Sequence, residues 1–123
     1  MAKIMVVDDE EDIRDSVKAL LDSEGYEVET AQDGNDCLKK LSSGAKPDLI
    51  LMDFFMPGLS GRETIAKIQQ NPDTKGIKII FLTVAEFKKK GVEKLSELNI
   101  SDYIQKPIDI LDFTERVKKV LDN

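Results

Sequence analysis

A doubly wound α/β fold, with a five-stranded parallel sheet covered by helices on both faces, is predicted by two features of this sequence. Short β-prone runs dominated by apolar residues occur at 4–7, 48–52 and 77–82, and strands of that kind are covered on both faces. Segments with helical apolar spacing alternate with the strands through short connections, a pattern that demands parallel pairing and right-handed crossovers.

The elements follow in order. Residues 4–7 read as a strand ended by acids, and Ile13, Val17, Leu20 and Leu21 then recur at helical spacing up to the stop signal at Gly25. A weaker strand lies within 26–31. A short helix at 35–41, with Cys37, Leu38 and Leu41 apolar, is closed by Ser42, Ser43 and Gly44. Pro47 precedes the strand 48–52; Pro57, Gly58 and Gly61 then mark a loop, and Ile65 and Ile68 a helix ended near Asn71 and Pro72. After the strand 77–82, Phe87, Val92, Leu95 and Leu98 form one stripe of a fourth helix. Tyr103 and Ile104 make a last short strand, and Phe113, Val117, Val120 and Leu121 face one side of a fifth helix. One domain spanning residues 1–123 is expected.

The composition excludes several classes of function. The net charge is −6, which argues against direct nucleic-acid binding, because a phosphate backbone is met by clustered Lys and Arg. There is no histidine, so a Ser-His-Asp triad, a histidine general base and histidine-ligated zinc are all excluded. No apolar run is long enough for a membrane span, and the opening residues carry no signal-peptide pattern, so a cytoplasmic location without membrane insertion is expected. Cys37 is the single cysteine and reads as a buried small hydrophobe, with no internal disulfide possible.

Sheets of this class bind ligands beyond the carboxyl ends of their strands. Asp8 and Asp9 follow the first strand there, Asp53 the third, Thr83 the fourth, and Lys106 with Pro107 the fifth. Three carboxylates meeting at one edge repel one another unless a cation lies among them or one is protonated. A hard divalent ion such as Mg2+, which takes oxygen ligands and suits Asp9 and Asp53, is the natural solution. It would neutralise an incoming phosphoryl group facing a carboxylate nucleophile, with Lys106 adding a charge and Thr83 a hydroxyl. Taken singly these residues have plainer readings: Asp8 to Asp12 as a helix cap, Asp53 as the start of a turn, Thr83 as a strand residue, Lys106 and Pro107 as a surface turn, Tyr103 as a half-buried strand aromatic.

Together, the opening Ile4-Met5-Val6-Val7-Asp8-Asp9-Glu10, the strand ending Leu51-Met52-Asp53, Met56-Pro57-Gly58 with Gly61, Thr83, and Tyr103 three residues before Lys106-Pro107 resemble the receiver domain of two-component response regulators, over essentially the whole chain. The resemblance implies a flavodoxin-like strand order 2-1-3-4-5 and a phosphoacceptor switch that is not an enzyme beyond its own phosphorylation and dephosphorylation. Asp53 would accept a phosphoryl group from a sensor histidine kinase or histidine phosphotransfer protein. Asp9, Asp53 and the backbone carbonyl of Phe55 would ligate Mg2+, with Mn2+ or Ca2+ as substitutes in vitro and Asp8 acting through bound water. Lys106 would pair with phosphoryl oxygens, Thr83 would move to bond one of them, Tyr103 would change rotamer, and the Lys106–Pro107 peptide would be cis. An output partner would read the face made by the fourth helix, fifth strand and fifth helix, roughly residues 86–121, of a monomer or weak dimer.

Departures from the family's pattern matter. Val84 is bulkier than the Ala or Gly usual beside the phosphoryl group, and Phe55 and Ala85, at the positions that tune phosphoryl lifetime, can neither hold nor activate water; slow dephosphorylation is expected. Lys88, Lys89 and Lys90 read as a solvated helix face. A phosphatase of the haloacid-dehalogenase kind would resemble Asp-x-Asp, but Phe55 stands where its general acid belongs. A nucleotide or flavin module would need a Gly-rich first loop, which is acidic here. A pseudo-receiver without chemistry would lack some of Asp9, Asp53, Thr83 and Lys106, and all are present. The chain ends at Leu121, Asp122 and Asn123 without a linker, which favours a stand-alone protein.

Overall fold

The computed structural model describes residues 2–83 and 99–122. The predicted fourth helix, with Phe87, Val92, Leu95, Leu98 and the three lysines 88–90, lies outside them, as do Val84 and Ala85. Five strands, β1 (Lys3–Val7), β2 (Glu27–Ala31), β3 (Leu49–Asp53), β4 (Lys78–Thr83) and β5 (Asp102–Gln105), form one sheet in the order β2-β1-β3-β4-β5. Every neighbouring pair is parallel. The described helices are α1 (Glu11–Ser23), α2 (Gly34–Ser42), α3 (Gly61–Gln70) and a C-terminal helix (Ile110–Asp122). None of them is long and apolar enough to cross a membrane.

Strand pleating explains the two cores. Successive side chains point to opposite faces, so Met5, Val7, Ile50, Met52, Ile79 and Phe81 meet Cys37 and Leu41 of α2 and Ile65 and Ile68 of α3 on one side. Ile4, Val6, Leu49, Leu51, Ile80 and Leu82 meet Val17 and Leu21 of α1 and Phe113, Val117 and Val120 of the C-terminal helix on the other. All five residues of β3 are buried, as a central strand with both faces covered requires. In β2, at the sheet's edge, burial alternates until Ala31, which is why its sequence signal is the weaker one. Cys37 is fully buried and its thiol is pushed up to about 12, chiefly by desolvation, so it packs as a small hydrophobe.

Local chemistry sets the helix ends. Glu11 and Asp12 lie in the first turn of α1, where carboxylates complement the macrodipole. The helix stops at Gly25, whose φ of 89° is a left-handed conformation that residues with a Cβ adopt at a cost. Helix α3 opens on a capping box: Ser60 Oγ accepts from the Glu63 N–H at 3.1 Å, and the Glu63 carboxylate accepts from the Ser60 N–H at 3.3 Å. This fixes the return of the chain after β3, and so the loop that carries residues 54–60 past the end of the sheet.

Candidate functional site

β1 is flanked by β2 on one side and β3 on the other, so the strand order reverses at β1 and a crevice opens beyond the carboxyl ends of β1 and β3. Asp8 follows β1 directly and is fully buried. Its N–H donates to the Ala31 carbonyl at 3.2 Å, its Oδ1 accepts from the Glu10 N–H at 2.9 Å, and its Oδ2 accepts from Lys106 Nζ at 2.8 Å. Asp53 is the last residue of β3 and is only 6% exposed. Its Oδ1 lies 3.7 Å from the same Lys106 nitrogen. Asp9, next in the chain, is exposed to solvent. Carboxylate oxygens of Asp8, Asp9 and Asp53 lie within 4.8 Å of one another.

This geometry has an electrostatic consequence. Burial pushes the Asp53 carboxyl up from 3.8 to about 7; the Asp8 charge pushes the same way, as do the hydrogen bond and charge of Asp9, while Lys106 opposes them. At about 7 the Asp53 carboxyl is only about half ionised at neutral pH, and nearby positive charge favours its ionised form. Lys106 supplies one charge, and most of its side chain is buried between its two carboxylate partners. The remaining negative charge, carried on hard oxygen donors, suits a divalent cation of the Mg2+ or Ca2+ kind.

The other sequence-predicted residues gather at the same edge to differing degrees. Thr83 ends β4 and is fully buried; Asp53 pairs with Leu82 in register, and the Thr83 carbonyl accepts from the Lys106 N–H at 2.7 Å. Strand pairing therefore carries the lysine to the site. The Lys106–Pro107 peptide is cis, as the resemblance implies. Tyr103 lies one strand further out, opposite Phe81, and is half-buried. Phe55 lies in the loop after Asp53 with its side chain 56% exposed, edge-on to Phe54 at 4.8 Å, and Phe54 in turn stands edge-on to Phe81 at 5.0 Å. These aromatic contacts tie the loop to the core beneath β4.

Two residues at the site escaped the sequence reading as functional groups. Gly61 was legible as a loop marker and as part of the motif carrying the resemblance, with no role of its own, yet a Cβ there would stand 2.5 Å from the Asp53 carbonyl oxygen and 3.1 Å from Phe54 Cα. The first turn of α3 rests on the backbone of Asp53 because that side chain is missing. Arg14, on α1, donates from Nη1 to the Asp8 carbonyl at 2.7 Å. No spacing rule marks a helical arginine for such a contact. The resemblance assigns Asp8 a role through bound water; in the structure its carboxylate is also the nearer of the two Lys106 partners.

The family model of the response regulator receiver domain matches residues 4–118. The phosphate regulon transcriptional regulatory protein PhoB of Rhizobium meliloti (strain 1021) is 34% identical over 121 residues, covering 98% of this chain and 52% of that protein, so the chain spans about half the length of that relative. Among solved structures, the chemotaxis protein CheY4 of Vibrio cholerae superposes with a TM-score of 0.89 at 31% identity, covering 98% of both chains. The response regulator TrrA of Thermotoga maritima, solved in complex with Mg2+-BeF, gives 0.83 at 39% identity, covering 98% of this chain and 99% of that one.

Proposed function

Because the chain belongs to the response regulator receiver domain family, we propose that it is a Mg2+-dependent phosphoacceptor switch in which Asp53 takes a phosphoryl group from a histidine kinase or a histidine phosphotransfer protein. The observation that carries this reading is the convergence of Asp8, Asp9, Asp53 and Lys106, from the ends of three strands, on one crevice.

Asp8, Asp9 and Asp53, with the Phe55 carbonyl as a further donor, are the residues that would hold the ion. When bound, Mg2+ would screen the carboxylates and neutralise charge on the transferring phosphoryl group. Asp53 attacks phosphorus through a carboxylate oxygen, forming an O–P bond as the P–N bond of the donor phosphohistidine breaks; the leaving imidazole nitrogen keeps the electron pair and takes a proton from solvent. Lys106 favours the ionised nucleophile and then pairs with phosphoryl oxygens, as a fixed charge that needs little reorganisation. Its bond to Asp8 holds the ammonium within reach meanwhile.

Phosphorylation biases an equilibrium between two conformations. Thr83, at the end of β4, bonds the new phosphoryl group, and Tyr103 on the neighbouring strand follows. The face formed by the segment before β5, by β5 and by the C-terminal helix is then altered for an output partner. Arg116 already ties two parts of that face together, pairing with Asp102 on β5 at 3.0 Å and with Asp112 on its own helix at 2.9 Å. Turnover is confined to Asp53 itself, and the setting is cytoplasmic. Intact mass after incubation with acetyl phosphate and Mg2+ tests the proposal: one phosphoryl group is expected on the wild type and none on Asp53→Asn or in EDTA. Equal uptake by Asp53→Asn overturns it.

A further inference from the structure

Asp8 is held at every polar group. Its N–H donates to Ala31, its two carboxylate oxygens accept from Glu10 and Lys106, and its carbonyl accepts from Arg14. Asp9, by contrast, is exposed; its carboxylate hydrogen-bonds that of Asp53, and carboxylate oxygens of Asp8, Asp9 and Asp53 lie within 4.8 Å of one another. The direction in which the Asp9 side chain leaves the backbone therefore depends on the Asp8–Asp9 peptide plane, and the oxygen of that peptide is the one Arg14 grips. Arg14 is half-buried in the second turn of α1. Although Glu10, Glu11, Asp12 and Asp15 are near it in sequence, the ion pairs among the described residues are made by Lys18, Lys40, Lys106 and Arg116. A guanidinium that forms a 2.7 Å bond to a carbonyl instead of pairing with a neighbouring carboxylate acts as a backbone clamp.

We propose that Arg14 is a positioning residue for the divalent cation, clamping the Asp8–Asp9 peptide so that the Asp9 carboxylate faces Asp53; this rests on the metal-dependent reading of the cluster. The sign of the effect separates this role from simple electrostatics. Arg14 is a positive charge near a site for a doubly positive ion, so its removal, judged by Coulomb repulsion alone, tightens Mg2+ binding. Loss of a clamp does the opposite, and groups that orient metal ligands typically carry about tenfold or more in affinity.

The test is Mg2+ affinity, read from the rise in melting temperature across a Mg2+ titration of the unphosphorylated full chain, for wild type, Arg14→Met and Arg14→Lys. Arg14→Met should weaken Mg2+ binding roughly tenfold, and Arg14→Lys, which keeps a charge and one donor, should recover part of the loss. The melting temperature in EDTA separately reads any contribution to the fold. Unchanged or tighter Mg2+ binding by Arg14→Met overturns the inference, including the case in which only its metal-free melting temperature falls. Should Arg14→Met fail to fold, Arg14→Lys with wild-type affinity overturns it equally. A wild type that does not respond to Mg2+ removes the metal reading itself, a result distinguishable from failure of the clamp.

Discussion

Replacing Asp53 with Asn should stabilise the metal-free protein, and more so at pH 8 than at pH 5. The carboxyl is nearly inaccessible, and desolvation followed by the Asp8 charge lifts it from 3.8 to about 7. The unfolded chain ionises this residue near pH 4, whereas the folded chain holds the proton until about pH 7. The group's favourable contribution is therefore complete below the unfolded value and is lost as the pH rises through the folded one. About three pKa units, at about 1.4 kcal/mol each, set a ceiling of about 4 kcal/mol, of which about 2–3 kcal/mol is lost between pH 5 and pH 8. Solvent reaching the cluster at exposed Asp9, and sharing of the proton among coupled carboxylates, reduce this to about 1–2 kcal/mol, or about 4–8 °C in Tm. Thermal unfolding of wild type and Asp53→Asn in EDTA at both pH values measures it. A variant no more stable than wild type at pH 8, or an equal difference at the two pH values, refutes the reasoning.

Other consequences follow from the same geometry. Lys106→Met leaves the buried Asp8 carboxylate without its cation and should cost about 3 kcal/mol in EDTA by urea unfolding, with Mg2+ recovering part of the loss. Gly61→Ala forces its Cβ against the Asp53 carbonyl; a loss of about 1–3 kcal/mol in unfolding free energy is expected, together with slower phosphorylation by acetyl phosphate, and wild-type behaviour in both would show that the loop yields freely. Phe55, exposed beside Asp53, offers no group to orient water, so spontaneous dephosphorylation should be slow; release of labelled phosphate within seconds would contradict this.

Much of this architecture was legible because its signals are local. The central strands are apolar on both faces, so their sequences declare them, and the segments 4–7, 48–52 and 77–82 differ from β1, β3 and β4 by a residue or so at their ends. The edge strand β2 spoke more faintly, since exposed Glu27 and Glu29 alternate with half-buried Val28 and Thr30. Asp8, Asp9, Asp53 and Lys106 were legible as a set because parallel strands deliver their C-terminal residues to one edge. Through-space choices were not. That Lys106 lies nearer Asp8 than Asp53, that Arg14 clamps a carbonyl, and that α3 needs Gly61 in order to touch Asp53 are outcomes of packing between distant segments, which neither periodicity nor spacing encodes.

The most direct test of the account is the chemical location of the phosphoryl group. After incubation with acetyl phosphate and Mg2+, borohydride reduction converts an aspartyl phosphate to homoserine, and peptide mapping by mass spectrometry finds its position. Homoserine at position 53 alone is the predicted result. Homoserine at Asp8, Asp9 or elsewhere, or an unmodified position 53 in a sample that has gained phosphate, would contradict the account.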